Sequence, residues 1–364
     1  MPIYMDRHEL PHDITPEKLS ELHQKDLDIE HKHNCKGFTY WLDLDQKYAF
    51  CLIQAPDREA VFNLHKESHG DLPTTIIEVE PNIVETFLGR MSDPETDSPG
   101  KLPKINDPAY RILMMLNLKH LNNLNSFKND SGFKSHFKLK IEKLVKENEG
   151  VITSANATEI LACFKNAKKA IKTAEIISLE KQANNFHDNA FTIGIVSGYP
   201  VTPDTNSFFE EAISHLKRVC TFVKAPIIIN SELRATYHQE EGPKRKALKN
   251  AYILTPDDEK FIKKVCKFID ANWQDPKLNM DRFSQDMGLS KSQLYRNIMR
   301  LTEKPPNAFI RNYRLSQALE RIKTQNGNIS EIAFEAGFNS VGYFSKQFKN
   351  AFGVLPSNYS KSLK

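Results

Sequence analysis

One spacing of apolar and polar positions occurs twice between Pro256 and Lys364. Met280, Phe283, Ser284, Met287 and Gly288 recur 49 positions later as Ile329, Ile332, Ala333, Ala336 and Gly337. In each copy the apolar positions fall at i, i+3 and i+7, one stripe of a short helix, and the Gly permits the left-handed turn that ends it. The small residue, Ser284 or Ala333, leaves room for a second helix to cross closely. After each turn comes a Ser able to cap a helix, Ser290 and Ser340, and then a new stripe: Leu294, Ile298 and Leu301 in the first copy, Phe344, Phe348 and Phe352 in the second. Helix, Gly turn and capped helix make a helix-turn-helix.

Opposite each second stripe lies a polar face suited to DNA. Lys291, Ser292, Gln293, Tyr295, Arg296 and Arg300 project from the first; Asn339, Ser340, Val341, Gly342, Tyr343, Lys346 and Lys349 occupy the start and outer face of the second. Arg and Gln make bidentate contacts to base edges, and Lys neutralises phosphate. A charged face alone is ordinary helix surface; two copies with the same caps, turns and polarity point to DNA. Val341 and Gly342 offer little hydrogen bonding, so the second helix is expected to read phosphate and shape. From Pro256 onward 18 Lys and Arg stand against 11 Asp and Glu, a surplus of seven; the whole chain carries +4, which leaves −3 for the residues before. Basic charge is concentrated where counterion release needs it.

These residues resemble the AraC/XylS-type DNA-binding domain over about 100 positions. The match runs through Phe309-Ile310-Arg311-Asn312-Tyr313-Arg314-Leu315, through Ile329 to Phe338, and ends in Tyr343 to Lys349 and Gly353 to Tyr359. The resemblance implies two helix-turn-helix units joined by one long helix, each placing a helix in successive major grooves about 10 base pairs apart.

The front of the chain has a different rhythm. Residues 2 to 80 read as strand, helix, strand, strand, helix, strand, an α+β ferredoxin-like order. Ile3, Met5 and Arg7 alternate with Tyr4, Asp6 and His8; Thr15 caps a helix with Leu19, Leu22 and Leu27 inward; Asp57 opens a second with Ala60, Val61 and Leu64. Exposed strand edges make a homodimer plausible. Seven of the twelve histidines fall in this segment, and His65 and His69 stand one helical turn apart, a spacing that lets both imidazoles reach one metal ion. His8 ends the first strand, and His23 and Cys51 are further possible ligands. A solvated pair is the commoner fate of two His at this spacing.

Met5 to His8, Tyr40-Trp41, Phe50 to Leu52, Ala55 to Asp57, His65 to Gly70 and Ile76 to Val79 resemble the DUF4242 family, which includes a nickel-binding ferredoxin-like protein of actinobacteria. That resemblance implies nickel or another transition metal held by His8, His65 and His69. Imidazole suits Ni, Cu and Zn alike.

A Pro-rich and Ser-rich linker is expected at residues 91–108. A second α+β segment, 109–237, resembles a class III nucleotide cyclase in Glu149-Gly150-Val151, Ile160 to Phe164, Thr192 to Gly198 and Ala212 to Cys220. The resemblance implies two metal-holding Asp residues, in Met114 to Leu118 and near Ala157 to Glu159, and neither stretch contains one. A degenerate domain without catalysis is expected, then a charged connector at 238–255, Glu240 to Lys246 at its centre, either a flexible tether, the default, or a helix that transmits domain rotation.

The chain is therefore expected to be multidomain: ferredoxin-like at 1–90, cyclase-like at 109–237, all-α tandem helix-turn-helix at 256–364. With 40% apolar and 26% charged residues, no long apolar run and five scattered Cys, it has the make-up of a cytoplasmic protein without a disulfide framework. The function expected is sequence-specific transcription regulation modulated by metal or a small ligand at the front, not an enzyme, with promoter DNA, a second copy of the chain and RNA polymerase as partners. A cyclase-like enzyme and a metal-storage protein or chaperone are the alternatives.

Overall fold

The computed structural model describes residues 1–95, 103–118, 131–156, 158–183, 191–203, 205–242, 248, 250–324 and 327–363. The alternating front segment forms β1 (Ile3–Glu9), α1 (Pro16–Ile29), β2 (Lys36–Asp43), β3 (Tyr48–Gln54), α2 (Arg58–Ser68) and β4 (Thr75–Val79), with antiparallel order β2-β3-β1-β4. Thr15 accepts from Lys18 N–H and Asp57 from Ala60 N–H, so both helices start where their caps stand. The period of two on β1 sends Tyr4, Asp6 and His8 toward α1 and α2, and Met5 to the opposite face. A further helix that the apolar spacing did not reveal, α3 (Pro81–Leu88), follows.

The second segment repeats the same topology. Its elements are β5 (Arg111–Asn117), α4 (Ser131–Glu147), β6 (Val151–Ala155), β7 (Glu159–Phe164), α5 (Ala167–Ala183) and β8 (Thr192–Gly198). The order β6-β7-β5-β8 mirrors that of the front sheet, and α6 (Glu210–Phe222), β9 (Ile227–Ile229), α7 (Ser231–Glu241) and β10 (Ala251–Ile253) extend it with two parallel strands. All seven residues of β5 are buried, as a strand covered on both faces requires. Helices α4 and α5 pack on Ile112, Met114 and Leu116, while Leu113 and Met115 belong to a cluster that also holds Phe87, Leu216 and Val219.

That cluster continues without a break into the carboxy-terminal helices. These are α8 (Pro256–Asn272), α9 (Met280–Met287), α10 (Lys291–Thr302), α11 (Pro306–Lys323), α12 (Ile329–Glu335), α13 (Val341–Phe352) and α14 (Pro356–Ser362). It joins Met5, Trp41 and Phe50 of the front sheet to Val219 and Phe222 of α6, and these to Ile262, Val265 and Ile298 of α8 and α10.

Polar contacts fix both junctions. Arg111, 2% exposed, lies under the end of α3 and donates to the carbonyls of Phe87 (2.9 Å), Leu88 (3.1 Å), Pro108 (2.7 Å) and Tyr110 (2.9 Å). A guanidinium is favourable at the helix-end carbonyls of Phe87 and Leu88. Tyr199 donates to Asp43 Oδ2 at 2.6 Å and stacks on Phe50. At the other junction Lys224 N–H donates to Leu301 O at 2.8 Å, Phe222 packs on Phe309 with centroids 4.7 Å apart, and Glu259 Oε1 accepts from Ser231 N–H and Oγ, both at 3.1 Å.

Two expectations are corrected here. The second half of the linker is bound rather than free: Ile105 is buried in the front core, Tyr40 Oη donates to Pro103 O and Leu42 N–H to Asp107 O. The described ends of the connector belong to the fold rather than to a tether: α7 enters it and β10 leaves it as a sheet strand, with Leu254 fully buried; residues 243–247 and 249 lie outside the described residues.

Candidate nucleic-acid interface and metal centre

The two helix-turn-helix units sit where the apolar stripes put them. Phe283, Ser284 and Met287 of α9, and Ile332 and Ala333 of α12, are buried, as are Leu294, Ile298 and Leu301 of α10 and Phe344 and Phe348 of α13. Gly288 and Gly337 turn at φ +66° and +76°. A Cβ at Gly337 would stand 2.9 Å from the carbonyl oxygens of Trp273 and Gln274, so α8 and the second turn meet only because that residue has no side chain.

The outward faces are exposed. Lys291, Ser292, Gln293, Tyr295 and Arg296 line α10, and Asn339, Ser340, Tyr343, Lys346 and Lys349 line the start and outer face of α13. Some of these side chains already have work in the fold. Ser290 and Gln293 form a reciprocal capping box, Lys291 pairs with Asp281, and Ser340 Oγ accepts from Tyr343 N–H at 3.3 Å. Among the described residues Arg296 has no ion-pair or hydrogen-bond partner, and its guanidinium is free to meet a base edge. Arg300, also exposed, has a duty within the fold. It is tied to Asp258 at the start of α8 and to Tyr252 Oη of β10, so it faces the middle sheet and secures α10.

A cleft of about 350 Å³ between α11 and the second turn is lined by Asn307, Arg311, Arg314, Asn339, Ser340 and Tyr343. Arg314 is structural, donating to the carbonyls of Trp273 (2.7 Å) and Asp275 (2.6 Å).

In the front unit β1 and α2 bring His8, His65 and His69 together, with His8 and His65 edge to face at 4.7 Å and His65 and His69 5.3 Å apart. Three further donors join them. Asp6 Oδ2 lies 2.8 Å from His65 Nε2, Asp26 Oδ2 lies 3.3 Å from His65 Nδ1, and Cys51 falls in one set with Asp6, His8 and His65. Asp6 was discoverable from the alternation of β1; Asp26 is brought in by α1 packing on α2. His23 lines the same cavity of about 20 Å³ but bonds Asp93 at 3.3 Å. His8 Nε2 is buried and 3.2 Å from Asp6 Oδ1, out of line for a hydrogen bond.

The electrostatics are those of mutual compensation. Burial works against the His65 cation, but the Asp6 and Asp26 carboxylates outweigh it and raise its pKa to about 10. Burial likewise opposes the Asp6 and Asp26 anions, yet His8 and His65 beside Asp6, and His65 and His69 beside Asp26, hold both carboxyls far below the usual range. Burial, with Asp6 nearby, pushes the Cys51 thiol well up. Imidazole, carboxylate and thiol around a small cavity are a donor set for a transition metal, and the orphaned His8 nitrogen fits such an ion.

Residues 283–362 match the family described as "Helix-turn-helix domain", and residues 4–79 the family described as "Nickel responsive protein SCO4226-like". The regulatory protein SoxS of Escherichia coli (strain K12) is 31% identical over 105 residues, 29% of this chain and 97% of SoxS. The chain belongs to the AraC family of transcriptional regulators. The chain is also 36% identical over 117 residues to histidine kinase P4 of Formosa agariphila, 30% of this chain and 8% of the kinase. The chain spans 40% of the regulator YdeC of Bacillus subtilis. The solved structure of SCO4226 from Streptomyces coelicolor A3(2) is 34% identical over 21% of this chain and 94% of that one, with a TM-score of 0.20. No helix among the described residues is long and apolar enough to cross a membrane.

Proposed function

We propose that this AraC-family chain is a one-component transcription regulator whose front unit binds a transition metal, nickel first among those to test, and whose α10 and α13 read a promoter site as part of a homodimer. One observation carries the reading: the buried donor cluster and the exposed recognition helices are linked by a single apolar cluster with polar contacts at each junction. Strand β1 presents Asp6 and His8 to the metal side and Met5 to the side packed toward the middle sheet. A shift of that strand is felt by α3, through Arg111 by β5, and through α6 by α8 and α10.

The ion supplies a fixed divalent charge to which imidazole and carboxylate ligands are drawn. His8, His65 and His69 would hold it, with Asp6, Asp26 and Cys51 within reach as further donors. The middle sheet serves as the relay and performs no chemistry: the end of β5 carries Asn117 opposite Glu159, where a two-metal nucleotide chemistry would need Asp. Metal changes the DNA-competent population only by its differential affinity for the two states. Mapping of bound genomic DNA with and without nickel tests the reading. Sites whose occupancy changes with nickel support it; identical occupancy under both conditions removes the metal as signal.

A further inference from the structure

Two donor sets share one residue in the front unit: Asp6, His8, Cys51 and His65 form the first, and Asp26, His65 and His69 the second. We propose that they hold two divalent ions rather than one, with His65 bridging them as an imidazolate, Nε2 to the first ion and Nδ1 to the second; this rests on the metal-binding reading above.

The distances assign the nitrogens. His65 Nε2 is 2.8 Å from Asp6 Oδ2, while Nδ1 is 3.2 Å from His69 Nε2 and 3.3 Å from Asp26 Oδ2. Asp26 meets His69 through its other oxygen, with His69 Nε2 to Asp26 Oδ1 also 3.3 Å. Bonds of about 2.0–2.1 Å around a tetrahedral ion put neighbouring donors roughly 3.3–3.4 Å apart. The two rings stand at that spacing from each other, and the Asp26 carboxylate spans both of them, one oxygen to each. Of the outer contacts, Ser68 Oγ donates to Asp26 Oδ1 at 2.5 Å, and Asp71 N–H donates to His69 Nδ1 at 3.1 Å, which leaves Nε2 as the nitrogen that faces the second set.

Charge requires the bridge. Two divalent ions bring four positive charges into a buried site, which is tolerable only if matched. Asp6, Asp26 and the Cys51 thiolate supply three negative charges, and the His65 imidazolate supplies the fourth. The Cys51 proton and both ring protons of His65 leave to water on loading, and nothing is oxidised or reduced. Cys51 belongs only to the first set, so the ions differ: the first has a soft sulfur donor, the second only nitrogen and oxygen.

The test is titration of the metal-free full chain with Co²⁺, read by elemental analysis after desalting, by thiolate-to-cobalt absorption and by low-temperature electron paramagnetic resonance. The expected result is two ions per chain, with a spectrum that differs from the sum of two isolated ions because the bridge couples them. Cys51→Ser should lose the thiolate absorption, and His69→Gln should reduce two ions to one while keeping it. Circular dichroism identifies any variant that fails to fold, and the wild-type titration stands by itself. One ion at saturation, or two with no coupling, overturns the bridge and leaves the metal reading intact; no retained ion overturns both.

Discussion

Arg296 and Arg300 stand one turn apart on α10, and the structure gives them opposite duties. Arg296→Ala removes an exposed guanidinium with no partner among the described residues, so stability should stay within about 0.5 kcal/mol of the parent. Its loss should instead be felt on DNA, at about 1–3 kcal/mol if it makes a bidentate contact to a base edge, which is roughly 5- to 150-fold in Kd. Specificity at one base position should relax with it. Arg300→Ala breaks the pair with Asp258, whose side chain is 4% exposed. The carboxylate keeps the Thr255 N–H at 3.1 Å but loses its cation. Leaving a buried acceptor underpaired costs about 1–3 kcal/mol, toward the low end because Arg300 itself is half exposed. Fluorescence anisotropy with a selected duplex and thermal unfolding of the same two variants separate the duties. Arg296→Ala that melts early with unchanged affinity, or Arg300→Ala that keeps full stability and loses base discrimination, would refute the assignment.

Further outcomes follow from the other sites. Replacing His65 and His69 together by Ala should abolish nickel retention, and undiminished metal content after desalting would remove both from the centre. In the metal-free chain the raised His65 pKa contributes stability that is complete below its ordinary value of 6.5 and fades as pH rises toward about 10; front-unit melting should therefore drop across that window, and a flat profile would contradict the Asp6–His65–Asp26 network. Gly337→Ala forces a Cβ against two carbonyl oxygens at a positive φ, so the carboxy-terminal helices should lose on the order of 1–3 kcal/mol, measured by urea unfolding. Arg311→Ala, in the cleft beside α13, should weaken binding to all sequences alike and lower the slope of log K against log salt by about 1; a loss confined to one base would show that it reads sequence.

The carboxy-terminal units were legible because each stripe, cap and Gly turn is local, and a second copy about 50 positions on repeats every one of them. Their caps formed as expected at Ser290 and Ser340. The front strands were legible for the same reason, down to the alternation that put Asp6 beside His8. Asp26 was missed because its role depends on α1 crossing α2, a long-range contact no local pattern encodes. The structural duty of Arg300 was not legible, because its charge resembles that of Arg296 until Asp258 and Tyr252 arrive from the preceding segment. The connector failed as a tether because Ala251–Ile253 is too short and too close to its charged neighbours to announce a strand. Helix α3 hid behind Pro81, which reads as a breaker although Pro is well placed in a first helical turn. The buried Arg111 gave no signal, since its partners are carbonyls.

Helices α10 and α13 are predicted to enter neighbouring major grooves of one duplex. Selection of a random-oligonucleotide pool by the full chain at moderate salt tests this most directly. It should enrich sites with two conserved blocks about 10 base pairs apart, the first more sharply specified than the second because Arg296 and Gln293 face one and Val341 and Gly342 the other. A pool that emerges with no shared sequence, or with a single block, would contradict it.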